Sequence, residues 1–303
     1  MRWPKQNSTV DAAFAAAVKC QHWPGDLYHA MPQPVHIVDV GSLALDQPEV
    51  YEAIADFHDC VVVGFDPQSD APAISTQHRV VRKTLPVAVG SGGQRPFHAT
   101  RFAPASSLYP PNHALLKAFL ALPTMLEVET VVPMDTVRLE DVAQIDDCDL
   151  LKLDVQGGEL DVLLGAGALL DGTVAVVTEV EFVPLYEGQP LFADVDTLLR
   201  ARGFEFVGFN DFGINAYEAG RFGTIPGCMT WADAVYVRGE ASLVPLGPDK
   251  ILKAFMIAHH ALRNAGLAAH LLALHDKVAG TALLDHYTPL LIKAWDCAAT
   301  AGA

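Results

Sequence analysis

The sequence predicts an α/β protein built on an open, mostly parallel sheet with helices on both faces. Three short apolar runs carry this prediction, and each meets an aspartate at its end: residues 35–40 with Asp39, 60–65 with Asp66, and 150–153 with Asp154. Near-continuous apolar strands of this length are typical of a parallel sheet that is covered on both faces. Open sheets of this kind bind ligands beyond the carboxyl ends of their strands, where these acids would lie.

The first two runs and the segment between them form a β-α-β unit. Residues 48–57 have apolar side chains at a helical spacing, and the unit has the size of a nucleotide-binding half-domain. A carboxylate after the second strand can accept hydrogen bonds from both ribose hydroxyls, so we expect Asp66 to bind a ribose. The first turn has only Gly41, with Leu43 and Leu45 where a pyrophosphate loop has further glycines. The sequence therefore favours a nucleoside ligand without phosphates, such as S-adenosylmethionine.

The third run leads into a turn at Gly157 and Gly158, and Glu159 then opens an apolar, helix-like segment. One interpretation is that Asp154 caps this helix and the glycines only make the turn. Because two other strands end in the same way, we favour a functional role for Asp154.

The remaining elements follow from local apolar patterns and turn residues. We predict strands at 80–90, 97–102, 173–182, 204–209 and 234–237, and helices at 113–122 and 191–202. Residues 213–227 are either a loop over the active site or an ordinary surface hairpin.

Both ends of the chain are expected to be helical. Residues 12–18 resemble a signal peptide in part, but the run is short and closed by Lys19, which favours a helix that docks on the domain. Residues 251–274 and 281–295 are predicted helices that form an oligomer interface or a substrate lid. Their histidines lack the spacing of metal ligands, so no metal is expected. The predicted organisation is an N-terminal helical segment (1–30), a catalytic domain (31–240) and a C-terminal helical extension (241–303).

Composition limits the class of partner. The chain has 303 residues, of which 51% are hydrophobic, and a formal net charge of −16. This charge argues against nucleic-acid partners and against docking on anionic membranes. Five scattered cysteines form no disulfide pattern and suit a reducing cytoplasm, and no segment has the length of a membrane span.

Eight short pieces in a fixed order resemble the FkbM family of S-adenosylmethionine-dependent methyltransferases, over roughly residues 35–238. The pieces are Asp-Val-Gly at 39–41, Phe-Asp-Pro at 65–67, and the segments 85–90, 105–109, 132–137, 151–159, 179–182 and 231–237. The resemblance implies a class I methyltransferase-like (Rossmann-like) sheet of seven strands, the last one antiparallel. The chain departs from the family at Leu43–Asp46, where a glycine is usual, at Gln156, often Glu, and at Asp66, where Glu is common.

The resemblance also implies a cofactor and a substrate class. The cofactor is S-adenosyl-L-methionine, and the acceptor is a hydroxyl on a carbohydrate or glycosylated metabolite. The residues expected to bind the cofactor are Asp39, Gly41, Ser42, Asp66, Pro67, Val89 and Ser107. An alcohol that attacks the methyl group needs a base to take its proton, and the candidates are Asp154, Asp135 and Glu179, with Glu181 as the alternative to Glu179.

Three alternatives stay open at this stage. Glu179 and Glu181 share a strand face, and one of them would pair with Lys152 in a purely structural role. A nucleotide-dependent oxidoreductase uses a similar fold, although the single-glycine turn speaks against it. The third alternative is a binding protein that has kept the fold and lost the cofactor.

Overall fold

The computed structural model describes residues 25–41, 49–67, 72–218 and 227–301. The strands are β1 Val35–Val40, β2 Cys60–Phe65, β3 Ala73–Gln77, β4 Val80–Leu85, β5 Ala88–Val89, β6 Gly93–Thr100, β7 Val128–Val137, β8 Leu150–Leu153, β9 Ala175–Glu181, β10 Phe204–Asn215 and β11 Cys228–Arg238. They form an eight-stranded sheet in the order β10-β11-β9-β8-β1-β2-β4-β3 and a three-stranded sheet in the order β5-β7-β6. The predicted N-terminal helix at 12–18 lies outside the described residues.

The large sheet confirms an α/β fold and corrects the number of strands. Strands β4, β2, β1, β8 and β9 are parallel, and β11 runs antiparallel to both of its neighbours, as predicted for the last strand. The prediction of seven strands is wrong, because β3 adds an antiparallel strand at the edge. Every residue of β3 is exposed, so this strand has no buried apolar face that a sequence pattern could reveal.

The small sheet was only partly predicted. The predicted strand at 80–90 is two strands in different sheets, separated by Pro86, which has no amide hydrogen for a ladder. The predicted strand at 97–102 begins earlier, at Gly93, and pairs with the unpredicted β7. Most residues of β7 are exposed, so its apolar pattern is weak.

The helices are mostly short. They are α1 Gly25–Ala30, α2 Glu52–Ala55, α3 His113–Leu116, α4 Leu122–Met125, α5 Glu159–Gly165, α6 Leu169–Gly172, α7 Phe192–Ala201, α8 Glu240–Leu243, α9 Pro248–Met256, α10 Ala265–Ala279 and α11 Leu283–Ala301. Helix α7 matches the prediction within a residue at each end. The predicted helices at 48–57 and 113–122 shrink to single turns, with α4 as a separate turn that has Pro123 near its start. None of the described helices is long and apolar enough to cross a membrane.

The C-terminal helices belong to the core of the large sheet. The predicted helix at 251–274 is interrupted by a π-helical turn at Ile257–Ala261, and Asn264 then caps α10 by accepting a hydrogen bond from the Leu267 amide at 3.0 Å. Alternate residues of a strand face opposite sides of a sheet, so β1 contributes to two cores. Ile37 packs in one buried cluster with Phe255, whereas Val38 packs in the other cluster with the residues of α5 and α7.

The segment predicted as a loop at 213–227 begins as a strand. Gly213 to Asn215 complete β10, and Tyr217 stacks on Phe119 with their ring centroids 5.2 Å apart. Residues 219–226 lie outside the described residues, so the loop's position over an active site stays a prediction.

Candidate active site

A pocket of about 850 Å³ opens at the carboxyl ends of β1, β2 and β8. We call it the strand-end pocket. Strand β1 lies where the connections of the sheet change direction, since β2 and β4 follow on one side and β8 and β9 on the other. Open α/β sheets bind their ligands at this point.

Gly41 lies in the floor of this pocket, where its backbone packs directly against the backbone of Asp154. Its φ is +89°, and an added Cβ would lie 1.8 Å from the carbonyl oxygen of Asp154. The turns after β1 and β8 are held at this distance by a hydrogen bond of 2.9 Å from the Asp154 amide to the Val40 carbonyl. A side chain at position 41 is therefore excluded both by its conformation and by space.

Five of the seven residues predicted to bind the cofactor line the strand-end pocket. Gly41, Asp66, Pro67, Val89 and Ser107 all contribute to its wall. Ser42 lies outside the described residues. The Ser107 hydroxyl donates to the Gln156 carbonyl at 2.6 Å and accepts from the Tyr109 amide at 2.9 Å, so it joins two loops of the pocket.

Asp39 lies beneath the pocket and does not line it. Its carboxylate is fully buried and accepts a hydrogen bond of 2.6 Å from the Tyr51 hydroxyl. It also pairs with Lys152 at 3.5 Å and with Arg82 at 3.7 Å. The structure places three protein groups around this carboxylate, and its role in binding the cofactor stays a prediction.

Lys152 connects Asp39 to the pocket wall. Burial opposes its charge, but the carboxylates of Asp39, Asp154 and Glu49 outweigh burial and raise the pKa of Lys152. Its ammonium group lies 3.3 Å from the Glu49 carboxylate. The structural alternative in which Lys152 pairs with a glutamate of β9 is therefore wrong.

A second, larger pocket of about 1640 Å³ adjoins the first. We call it the acidic pocket, and Glu49, Lys152 and Asp154 line both. Among the described residues, its wall contains seven carboxylates and two cationic side chains. The carboxylates are Glu49, Glu52, Asp56, Asp154, Glu179, Asp211 and Asp233, and the cations are Lys152 and Arg263. Trp231 adds an aromatic surface.

Crowding of acids shifts several pKa values here. Burial raises the pKa of Glu179 well above its ordinary value, and repulsion from Asp154, Glu181, Glu159 and Asp233 adds to the effect. Asp233 is paired in register with Glu179 across β11 and β9, and burial together with repulsion from Asp154 raises its pKa to about 6.

Two of the three predicted bases come together, and the third lies elsewhere. Asp154 and Glu179 accept hydrogen bonds from the same atom, the Gln156 amide nitrogen, each at 2.8 Å. Asp135 is exposed on β7, where Gln94 donates to it at 3.2 Å, and it lines neither pocket. Sequence reasoning did not assign a role to Glu49 or Asp233, although an isolated acid inside the apolar run of β11 is a usable signal.

One further cluster of titratable side chains lies away from both pockets. His36, Asp147 and Asp149 place three metal-type ligand atoms within 4.8 Å of one another. The carboxylates are already bound by lysines of α9, because Lys250 donates to both aspartates at 2.7–2.9 Å and Lys253 to Asp149 at 2.8 Å. This cluster anchors α9 to the sheet.

Comparison with known proteins identifies the family. The sequence model of the methyltransferase FkbM domain matches residues 47–206, which is more than half of the chain. The chain belongs to the FkbM methyltransferase family. The matched FkbM segment includes Asp66, Asp154, Gln156 and Glu179, and it ends before β11 and the C-terminal helices.

Matches to individual proteins are distant. A search of curated proteins finds no match. Among solved structures, the chain is similar to magnesium protoporphyrin IX methyltransferase (ChlM) from Synechocystis PCC 6803, determined with bound SAM. The identity is 15%, the match covers 77% of this chain and 79% of that chain, and the TM-score is 0.29.

Proposed function

We propose that this protein is an S-adenosylmethionine-dependent O-methyltransferase. The methyl donor would occupy the strand-end pocket, and a polyhydroxylated acceptor, such as a carbohydrate or a glycosylated metabolite, would occupy the acidic pocket. The observation that carries the proposal is that Asp154 lines both pockets, at the point where a donor and an acceptor would meet.

The strand-end pocket suits an adenosine that carries an amino-acid tail. The Asp66 carboxylate follows β2 and can accept hydrogen bonds from ribose hydroxyls. Val89, Phe97 and Leu108 provide apolar surface for an adenine ring. The absence of a side chain at Gly41 keeps the turns after β1 and β8 in contact, and the floor of the pocket depends on that contact. When bound, S-adenosylmethionine supplies an electrophilic methyl group on its sulfonium.

The acidic pocket suits an acceptor with several hydroxyl groups. Ionised carboxylates are pure hydrogen-bond acceptors, and sugar hydroxyls are donors that match them. The half-buried Trp231 offers an apolar ring surface beside these acids. The net negative charge of the acidic pocket disfavours phosphorylated or carboxylated acceptors, because like charges in a desolvated pocket repel.

The acceptor hydroxyl must lose a proton as it attacks, so a carboxylate at the shared wall would act as the base. Asp154 is our first choice, because it lines both pockets, and Glu49, which also lines both, is paired with Lys152 at 3.3 Å. Glu179 is the second, since burial and then repulsion from the surrounding acids raise its pKa, which makes its ionised form a stronger base. Asp135 is omitted because it lines neither pocket.

Calorimetric titration with S-adenosylmethionine and S-adenosylhomocysteine tests the donor site, with NAD as a negative control. We expect saturable binding of the first two ligands only. Asp66→Ala should weaken binding by tenfold or more, because a hydrogen bond to a charged group contributes about 1.5–3 kcal/mol. Asp135→Asn is the matched control and should bind normally. Equal affinities of Asp66→Ala and the wild type would remove the ribose assignment, and no binding by the wild type would favour a binding protein that has lost the cofactor.

Two further expectations belong to the same proposal. Cys60 and Cys148 are buried free thiols, which supports a cytoplasmic location.

The exposed Ile292 of α11 supports a homo-oligomer contact through the C-terminal helices. Light scattering of the full chain tests this contact, and a monomer at all concentrations would contradict it.

A further inference from the structure

The side chain of Gln156 is the link between the strand-end pocket and the acidic pocket. Its amide nitrogen donates to Asp154 Oδ1 at 2.8 Å and to Glu179 Oε1 at 2.8 Å. A primary amide has two N–H hydrogens, so each carboxylate receives one. The two carboxylate oxygens are therefore held on either side of a single neutral donor.

The opposite end of the amide faces the hydroxyl of Tyr186. The hydroxyl of the buried Tyr186 lies 3.2 Å from Gln156 Oε1 and 2.8 Å from the Ala105 carbonyl, with its one hydrogen shared between these acceptors. The amide nitrogen points to the carboxylates because they accept hydrogen bonds and it is the end of the amide that donates them. An amide in the reverse orientation would turn its oxygen toward two acids.

The backbone of Gln156 is held as firmly as its side chain. Its φ is +56°, a left-handed conformation that is uncommon for a residue other than glycine. The Ser107 hydroxyl donates to the Gln156 carbonyl at 2.6 Å, and Gly157 follows with a φ of +94°. Strained backbone of this kind persists only where the surrounding structure holds it in place.

We propose that Gln156 is a positioning residue that holds the Asp154 and Glu179 carboxylates in a fixed mutual orientation at the wall between the two pockets. The inference concerns this chain's own carboxylates, and only its consequence for ligand binding rests on the proposed function. A neutral donor suits this position because the surroundings are already acidic. Asp154, Glu181, Glu159 and Asp233 all face Glu179, from the end of β8, its own strand, α5 and β11. A further carboxylate at position 156 would add to this repulsion, whereas an amide relieves it.

Titration of Glu179 tests the proposal without any ligand. Carbon-13 NMR of the side-chain carboxyl groups, with the signal assigned from Glu179→Gln, measures the pKa of Glu179 in the full chain. Gln156→Leu removes both donors and should raise this pKa by about 1, because hydrogen bonds to the ionised form favour it. An unchanged pKa of Glu179 in Gln156→Leu would overturn the proposal, since a purely structural glutamine would not affect this titration.

Gln189 provides a matched control. Its side-chain oxygen lies in the same buried region and accepts from the Tyr186 backbone amide, and its amide lowers the pKa of Glu181 but makes no hydrogen bond to Asp154 or Glu179. Gln189→Leu should not raise the pKa of Glu179. A rise equal to that in Gln156→Leu would mean that any lost amide has the effect, and the bridge would be refuted.

An exchange of groups guards against a variant that fails to fold. Gln156→Glu and Glu179→Gln each disturb the pair, but together they restore one amide–carboxylate bond with the original number of charges. The double variant should therefore unfold at a higher urea midpoint than Gln156→Glu alone. If the change in midpoint of the double variant equals the sum of the changes in the two single variants, a direct contact is refuted.

The consequence for the ligand is measured separately. Gln156→Leu should weaken S-adenosylmethionine binding about tenfold, because Asp154 is no longer held at the pocket wall, and Gln189→Leu should stay within twofold of the wild type. Unchanged binding in Gln156→Leu would overturn the positioning of Asp154 toward the donor. If the wild type itself binds no S-adenosylmethionine, the proposed function fails while the titration still decides the bridge.

Discussion

Replacement of Gly41 by alanine tests the close contact on which the strand-end pocket depends. The new Cβ would lie 1.8 Å from the Asp154 carbonyl oxygen and 2.7 Å from its carbonyl carbon. Both neighbours are backbone atoms, so no side-chain rotation relieves the overlap. The turn after β1 or the turn after β8 has to move.

The expected cost has two parts. A φ of +89° costs an alanine about 1–2 kcal/mol relative to glycine. Overpacking of a well-packed site adds about 1–3 kcal/mol. We therefore expect Gly41→Ala to lower the free energy of unfolding by about 2–5 kcal/mol, and to weaken S-adenosylmethionine binding because Asp154 is displaced.

Gly93→Ala separates the two parts. Gly93 has a similar φ of +83°, but an added Cβ there would meet no atom within 4 Å. Its loss of stability should be limited to the conformational part, about 1–2 kcal/mol. Urea unfolding followed by circular dichroism measures both variants. Equal losses for Gly41→Ala and Gly93→Ala would show that the contact with Asp154 is not tight, and the description of the pocket floor would have to be abandoned.

Two predictions concern the core beneath the C-terminal helices. Lys253→Met should lower the free energy of unfolding by about 3 kcal/mol, because it removes a partner from the buried Asp149 carboxylate. Lys250→Met should lower it by less, because Lys250 is more exposed. Equal urea midpoints for the two variants would contradict this prediction. Burial holds the pKa of His58 and of His259 at about 4, below the ordinary value of 6.5. Between pH 4 and pH 6.5 the unfolded chain therefore binds more protons than the folded chain, so the free energy of unfolding should fall as the pH drops. The expected loss is about 1–2 kcal/mol per histidine between pH 6.5 and 5. Urea midpoints at a series of pH values measure this slope, and a His259→Gln variant with an unchanged slope would exclude that histidine as a source.

Short-range features of the sequence were sufficient for the parallel core. The apolar runs of β1, β2 and β8 predict strands because such runs are buried on both faces, and each was found with its acid at the carboxyl end. Parallel strands present these ends at one edge, so Asp66 and Asp154 could be assigned to the same pocket. Helix α7 was predicted nearly to the residue because its apolar spacing is clear and Gly203 stops it.

Residues that depend on distant neighbours were predicted less well. Asp135 belongs to the family-like pieces, but its strand lies in the small sheet and exposes its side chain. Asp39 lies in the expected strand, yet its role depends on Tyr51, Lys152 and Arg82, which come from three other elements. The edge strand β3 has no buried face, so no apolar period marks it.

The sequence by itself determined the α/β class, the family resemblance and the position of the strand-end acids, because these depend on local hydrophobicity and on residues adjacent in the chain. Only the tertiary structure decided which acids meet. Seven carboxylates of the described residues, from separate segments, line the acidic pocket, and Gln156 reaches Glu179 across 23 positions of sequence to join it to Asp154. The physical reason is that hydrogen bonds and repulsion act over a few ångströms in space, and separation along the chain does not reveal that distance.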